Sequence, residues 1–344
     1  MHKSAIDPSA TALRDIVQAI DNAWQLTGFR KIETGIVNPV YELSVEPCGF
    51  LILKIGNPLW KAWKVDNEVL ASRLIRQIAQ VPTARILSVD TSKRLLPYSY
   101  FVMERLAGWS LRDVINQLPL DQLRQVIQSI TAYLTRIHAV RWPRFGGLRH
   151  RWPLEVEGMV TLRQRSPMAF AGPFNSAQEY YAAFVEARWQ NVQTSRFRRE
   201  AAMLCRFIRR RLPLLEGQVG ASLVHGDFQP TNIFVEGATV TGLIDCEWAH
   251  AGCGEAEWFV ARQQLLAAID DPIRQTICAK EFDAQCGILD LEQYCERCKL
   301  YAADDCLNSI EAFPWLAHDL DADGVQQLED RLRARAIAFE REYV

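Results

Sequence analysis

In the stretch LVHGDFQPTNIFVEGATVTGLIDCEW, from Leu223 to Trp248, a His-Gly-Asp, an Asn and a second Asp stand among residues that are otherwise mostly apolar or turn-forming. The polar set is His225, Asp227, Asn232 and Asp245. Moving a phosphoryl group onto a hydroxyl needs a carboxylate beside the hydroxyl and hard oxygen ligands that hold Mg2+ against the phosphates. Asp227, Asn232 and Asp245 are residues of those types. Ile233 to Val235 and Val240 to Ile244 read as two strands joined across the turn EGAT. Both ends of a hairpin lie at one edge, so the loop with Asp227 and Asn232 and the exit with Asp245 converge.

The rest of the chain must hold that hairpin. Residues 10–26 have a helical pattern, and FRKIETG, VYELSV and FLILKIG carry β-branched and aromatic residues between turn signals, which predicts a small antiparallel sheet. Lys64 to Ala79 spaces Val65, Val69, Leu70, Leu74 and Ile78 as one amphipathic helix, and ARILSVD and YSYFVMERL read as two more strands. Beyond Gly108 strand signals nearly vanish until the hairpin. Leu120 to Val140 is a long helical pattern, and others run over 177–189, over 198–212 and in pieces from Glu255 onward. This order predicts an α+β chain of two lobes, a small antiparallel-sheet lobe over 1–106 and a larger, mainly helical lobe over 107–344. LILKIG puts Lys54 on a strand of the first lobe, and Glu68 follows on the helix fourteen residues later.

The H-G-D-x-x-x-x-N run with its later Asp resembles the signature of the aminoglycoside phosphotransferase and choline kinase-like superfamily, and shares the spacing of the protein-kinase H-R-D-x-x-x-x-N. The resemblance implies a bilobal protein-kinase-like fold. It also implies transfer of the γ-phosphoryl of Mg2+-bound ATP or GTP to a hydroxyl of a small molecule, either an antibiotic or a metabolite. Carried over residue by residue, it makes Asp227 the catalytic base or hydroxyl-orienting carboxylate, His225 an orienter of the loop, and Asn232 and Asp245 the holders of Mg2+. Lys54 would bind the α- and β-phosphates, with Glu68 fixing it by an ion pair. GIVNPVYEL stands where a phosphate-covering turn would lie, with Gly35 allowing close backbone approach and Asn38 a candidate donor; a plain β-turn is the other reading. FVMERLAGWSL resembles the linker between lobes, where backbone groups from Glu104 to Leu106 would meet the base, and Met103 either lines that pocket or packs in the core. Glu247 matches an acid often found two positions after the metal Asp in relatives, with a functional or a structural role.

The departures from the pattern also inform. Gly226 stands where many protein kinases have Arg, and neither A-P-E nor D-F-G follows Asp245, so activation-loop control and a protein substrate are not expected. Where relatives have a G-D-P-x-x-D-like stretch this chain reads GCGEAEWFVA. Glu255 replaces the first acid and Phe259 the second, which puts a helix-anchoring interaction in question. Asp304 to Asp330 holds eight acidic residues and no Lys or Arg, suited to a polyamine-like cation or to plain solvent. Arg188 to Arg211 holds eight arginines against the single acid Glu200, suited to an anion or again to solvent. Trp142, Trp152 and Trp248 are candidate aromatic walls for the acceptor, with core packing the plainer reading. The alternative to an enzyme is a catalytically silent kinase-like nucleotide-binding or scaffold protein. It predicts loss of Lys54, Asp227, Asn232 or Asp245, and all four are present.

Composition sets the outer bounds. With 344 residues, 49% hydrophobic and 23% charged, the chain has the make-up of a globular protein large enough for two cores. A formal charge of −2 gives no global pull toward nucleic acid or an anionic membrane. No stretch approaches eighteen apolar residues, and MHKSAIDPSATALRD lacks the apolar core of a signal peptide, so a cytoplasmic location is expected. Nine cysteines without a repeated spacing read as reduced thiols, and the C-x-x-C of Cys295 and Cys298 falls in a helical pattern. Nothing in these patterns encodes an oligomeric state.

Overall fold

The structure, a computed structural model, describes residues 7–32, 38–56, 63–148, 172–217, 220–285, 291–318 and 320–344. In chain order its elements are α1 (Ala10–Ile20), β1 (Gln25–Ile32), β2 (Val40–Glu46), β3 (Gly49–Ile55), α2 (Trp63–Gln77), β4 (Ile86–Asp90), β5 (Tyr100–Glu104), β6 (Trp109–Ser110), α3 (Leu111–Val114), α4 (Leu120–Ala139), β7 (Arg141–Trp142), α5 (Ala177–Val192), α6 (Arg198–Arg211), β8 (Ala221–Val224), β9 (Ile233–Glu236), β10 (Thr239–Leu243), β11 (His250–Gly252), α7 (Gly254–Ala267), α8 (Pro272–Ala284), α9 (Leu291–Leu316) and α10 (Ala322–Tyr343). They form two compact units, one of residues 1–136, 225–249 and 268–281, the other of residues 137–224, 250–267 and 282–344. The α+β class, an antiparallel sheet followed by a mainly helical remainder, is as expected.

The first unit is built on a five-stranded sheet in the order β1-β2-β3-β5-β4, antiparallel throughout. Alternation along β3 sorts its side chains. Leu51, Leu53 and Ile55 join Tyr41, Leu43, Tyr100 and Val102 in a core closed by Leu13, Ile16 and Val17 of α1. The opposite face takes Lys54, and there Val65 and Val69 of α2 pack on Phe101, with Ile86 and Met103 at the margin. One helix therefore covers each face, and the helix on the Lys54 side is the one that carries Glu68. Helix α1 is shorter than the 10–26 reading. It stops at Ile20 because Asp21 turns the chain, its carboxylate accepting from Ala23 N at 2.9 Å and its carbonyl from Trp24 N at 3.1 Å.

The hairpin β9–β10 pairs as its sequence suggests, and β6 adds a third strand. Two residues are too few for a periodic signal, so β6 was not legible; its entrance is Gly108, at φ +80, where a Cβ would lie 2.0 Å from Val235 O. In the second unit β7, β8 and β11 form a small sheet among the helices. Cys295 and Cys298 are free thiols on α9. Among the described residues no helix is long and apolar enough to cross a membrane.

The two charge runs of the second unit meet at a few ion pairs. Arg188 pairs with Asp304 and Glu311, Arg196 with Glu329, and Arg335 with Asp305. Arg209 takes Glu186 and Glu200 takes Arg333. The two runs meet at Arg188 and Arg196, while Arg198, Arg199, Arg206 and Arg210 lie on the exposed side, in keeping with the solvent reading. Glu255, at the first acid position, is tied to α9: its carboxylate receives Arg297 at 2.7 and 2.8 Å and the Tyr301 hydroxyl at 3.2 Å. Phe259 packs near the Tyr301 ring. Trp142 is buried and donates to Leu148 O, a core residue rather than a wall. Trp152 lies outside the described residues.

Candidate active site

Lys54 stands at the end of β3, 7% exposed, on the face covered by α2. Its Nζ lies 2.9 Å from Glu68 of α2 and 2.7 Å from Asp245 at the exit of β10, with Glu247 at 3.9 Å. Burial works against the ammonium charge, but the carboxylates of Asp245, Glu68 and Glu247 outweigh it and hold the Lys54 pKa well above the ordinary lysine range. Burial pushes Glu68 up to about 8, with the charges of Asp245 and Glu247 adding to the rise. Burial also raises Asp245, yet the Lys54 charge and hydrogen bond prevail, and its pKa falls below the usual carboxylate value. Glu68 thus takes a proton before Asp245 does.

Glu247 is a second, buried node. It accepts from Lys64 Nζ at 2.8 Å and from Asn38 Nδ2 at 2.7 Å, while its carbonyl accepts from Asn67 at 3.1 Å. The Lys64 ammonium also lies 3.6 Å from the centre of the Trp248 ring, where burial lowers its pKa. Sequence reasoning passed over Lys64 and Asn67. Their signal was the spacing 64, 67, 68, three polar residues on one stripe of α2 that is otherwise buried and apolar. Asn38, a candidate donor to phosphate, donates its Nδ2 to Glu247 Oε2 at 2.7 Å. Gly35 lies outside the described residues.

The loop after β8 is tied to the hairpin by His225, which is fully buried. Its Nε2 donates to Ile244 O at 3.1 Å, and Asp227 N lies 3.4 Å from its Nδ1, which orients the ring between the loop and the hairpin. Gly226 has φ +81, and a Cβ there would lie 2.2 Å from Trp248 O, so the Arg of protein kinases has no room at this position. The Asp227 carboxylate accepts from Gln229 Nε2 at 2.9 and 3.0 Å and from Asn232 Nδ2 at 2.8 Å. Burial raises its pKa, and the charge of Asp245 raises it further, so the two acids share one electrostatic neighbourhood. Asp245 itself has left-handed backbone angles, φ 63 and ψ 51, a conformation that Asp tolerates and that its bond to Lys54 helps to hold.

The linker residues lie beside the hairpin. Leu106 packs against Gly242, where a Cβ would come within 2.9 Å of both Leu106 methyls. The Glu104 carboxylate is engaged by Arg85, and its N–H donates to Arg85 O at 3.0 Å. Met103 packs beside Phe101, Val65 and Val69.

Hard oxygen donors gather here: Glu68, Asp245 and Glu247 each bring a carboxylate oxygen within 4.8 Å of the others. Asn232 spends its N–H groups on Asp227, so its amide oxygen is the atom left for a cation. The Asp245 carboxylate and the Asn232 amide oxygen are donors of the type Mg2+ takes, while Glu68 and Glu247 are engaged by Lys54 and Lys64.

The model of the phosphotransferase enzyme family matches residues 28–254, about two thirds of the chain and the whole of the site. The chain belongs to that family. Solved structures agree on the kinase-like fold. Aminoglycoside phosphotransferase APH(4)-Ia, 16% identical, superposes with a TM-score of 0.64 over 98% of this chain and all of the other. A GDP complex of aminoglycoside 2'-phosphotransferase-IIIa, 11% identical, gives 0.64 over 95% of this chain and 98% of the other. APH(4)-Ia has also been solved with ADP and hygromycin B. Among curated proteins, a subtelomeric hrmA-associated cluster protein of Aspergillus fumigatus is 23% identical over 135 residues, 38% of this chain. That match spans 26% of the relative's own length.

Proposed function

We propose that this member of the phosphotransferase enzyme family transfers the γ-phosphoryl group of ATP or GTP to a hydroxyl of a small molecule. The observation that carries the reading is Lys54, buried and held between Glu68 and Asp245 at 2.9 and 2.7 Å. In this reading residues 1–106 bind the nucleotide, with Lys54 on the α- and β-phosphates and the backbone from Glu104 to Leu106 at the base, while residues 107–344 carry the catalytic loop and the acceptor site. Asn232 and Asp245 would hold Mg2+, which when bound supplies positive charge against the phosphates. Asp227, kept in place by Gln229 and Asn232, orients the acceptor hydroxyl and takes its proton. His225 holds the loop and moves no proton. Glu247 is a structural counter-charge to Lys64.

Four acids of the run, Asp304, Asp305, Glu311 and Glu329, are paired with arginines, which weakens the ground for favouring a polycationic acceptor over a neutral metabolite. A cytoplasmic location suits a donor made inside cells. The test is mass spectrometry of a panel of hydroxyl compounds incubated with the protein and Mg·ATP or Mg·GTP. Transfer of one phosphoryl group to one compound class, abolished by Asp227→Asn with nucleotide binding kept, is the expected result. Unchanged transfer by that variant would remove Asp227 from its role.

A further inference from the structure

The face of the sheet that carries Lys54 presents a second charged group. Arg30 is registered opposite Glu42, Glu42 opposite Ile52, and Ile52 lies two residues before Lys54, so all four side chains leave the same side. Glu42 is buried at 8% exposure. Its Oε1 accepts from Arg30 Nε at 2.7 Å, and its Oε2 accepts from Arg105 Nε at 2.7 Å. Arg105 follows β5, inside the 104–106 linker, and its guanidinium lies 5.9 Å from the centre of the Phe50 ring on the same sheet face.

The register gives this group its place. Lys54 stands opposite Phe101 and Leu51 opposite Glu104, so the linker is three residues, about 10 Å, along the sheet from Lys54. A nucleoside triphosphate that gives its α- and β-phosphates to Lys54 needs about that length to bring its base to the linker. An exposed ion pair by itself does little. Here one buried carboxylate receives guanidiniums from two separate segments, one on each oxygen, so it ties the linker to β1 and β2 together. Resting on the nucleotide reading above, we infer that Arg30, Glu42 and Arg105 form a clasp that fastens the linker to β2 and sets affinity at the base end of the nucleotide. Glu42 and Arg105 are positioning residues, and the phosphate end at Lys54 does not depend on them.

Calorimetry on the full chain with Mg2+ separates the two ends, using ATP, GTP, the nucleoside of whichever triphosphate binds more tightly, and inorganic tripolyphosphate. Arg105→Met and Glu42→Gln should each weaken the triphosphate and its nucleoside by about fivefold and leave tripolyphosphate within about twofold. Arg105→Lys, which keeps the charge without the planar fork, should fall between. Equal weakening of tripolyphosphate, or a nucleoside affinity unmoved by Arg105→Met, Glu42→Gln and Arg105→Lys alike, would overturn the clasp. Wild-type protein that binds neither ATP nor GTP would overturn the proposed function itself.

Discussion

Two buried charge networks, one in each unit, both set a cation among carboxylates and differ in the cation and in how it is held. In the second unit Arg188 of α5 has all three guanidinium nitrogens engaged by residues of α9: Nε by Glu311, Nη1 by Asp304 and Nη2 by Asn308. Those partners are spaced 304, 308 and 311, one stripe of one helix, and the Phe184 ring closes the guanidinium from the side. Around Lys54 the partners come from separate segments, Glu68 from α2, Asp245 from the exit of β10 and Glu247 from the turn after it. The Asp245 side chain is 36% exposed, against 7% for Arg188. A planar fork with fixed partners on one helix is a clamp. A compact ammonium shared among carboxylates, one of them open to solvent, can give up a partner when a phosphate arrives. The comparison separates a charge that holds structure from a charge placed for chemistry.

The largest expected effect falls on the clamp. Arg188→Met leaves Asp304 and Glu311 unanswered in a buried site and should cost about 3–5 kcal/mol in urea unfolding, and Arg188→Lys should recover little of it because one ammonium cannot replace the fork. Full recovery by Lys would erase the distinction drawn between the networks. Next comes Lys54→Met, expected to lower turnover by about 10²- to 10³-fold, with tripolyphosphate affinity lost alongside and a smaller loss of stability than at Arg188. Stability is cushioned there because Glu68 can take a proton when its cation is gone.

That proton gives a third way to sharpen the contrast. The Glu68 pKa in the fold, about 8, lies above its ordinary value of 4.5, so the folded chain keeps a proton that the unfolded chain releases. The stabilising contribution is complete below pH 4.5 and is lost as pH rises through 8. Urea midpoints of the wild type should therefore fall relative to Glu68→Gln between about pH 5 and about pH 8. Parallel curves for the two proteins would show that Glu68 is already ionised across the range.

How much of this the sequence carried depends on distance along the chain. His225, Asp227, Asn232 and Asp245 were legible because they lie within one hairpin, where local turn chemistry and spacing suffice. The sheet was legible from its alternation. Lys54 and Glu68 needed the resemblance to join them, since nothing local says that a strand and the next helix turn their charges toward each other. The Glu247 node was not foreseen, because Asn38 and Lys64 lie 209 and 183 residues from it. The charge runs hid their partners for the same reason. Composition in a window reports charge but not its partner: Arg188 and Arg196 reach acids of α9 and α10, while Arg209 takes Glu186 of α5.

The smallest effect marks the edge of the clamp. Arg206 on α6 is exposed and has no ion pair among the described residues, although it belongs to the same arginine run as Arg188. It lies on the exposed side of a helix whose buried residues include Leu204, Phe207 and Ile208, so removing it leaves no buried group behind. Arg206→Ala should change stability by no more than about 0.5 kcal/mol in the same urea assay. A loss above about 1 kcal/mol would mean that the run works as a unit, and that burial and fixed partners are not what separates Arg188 from its neighbours.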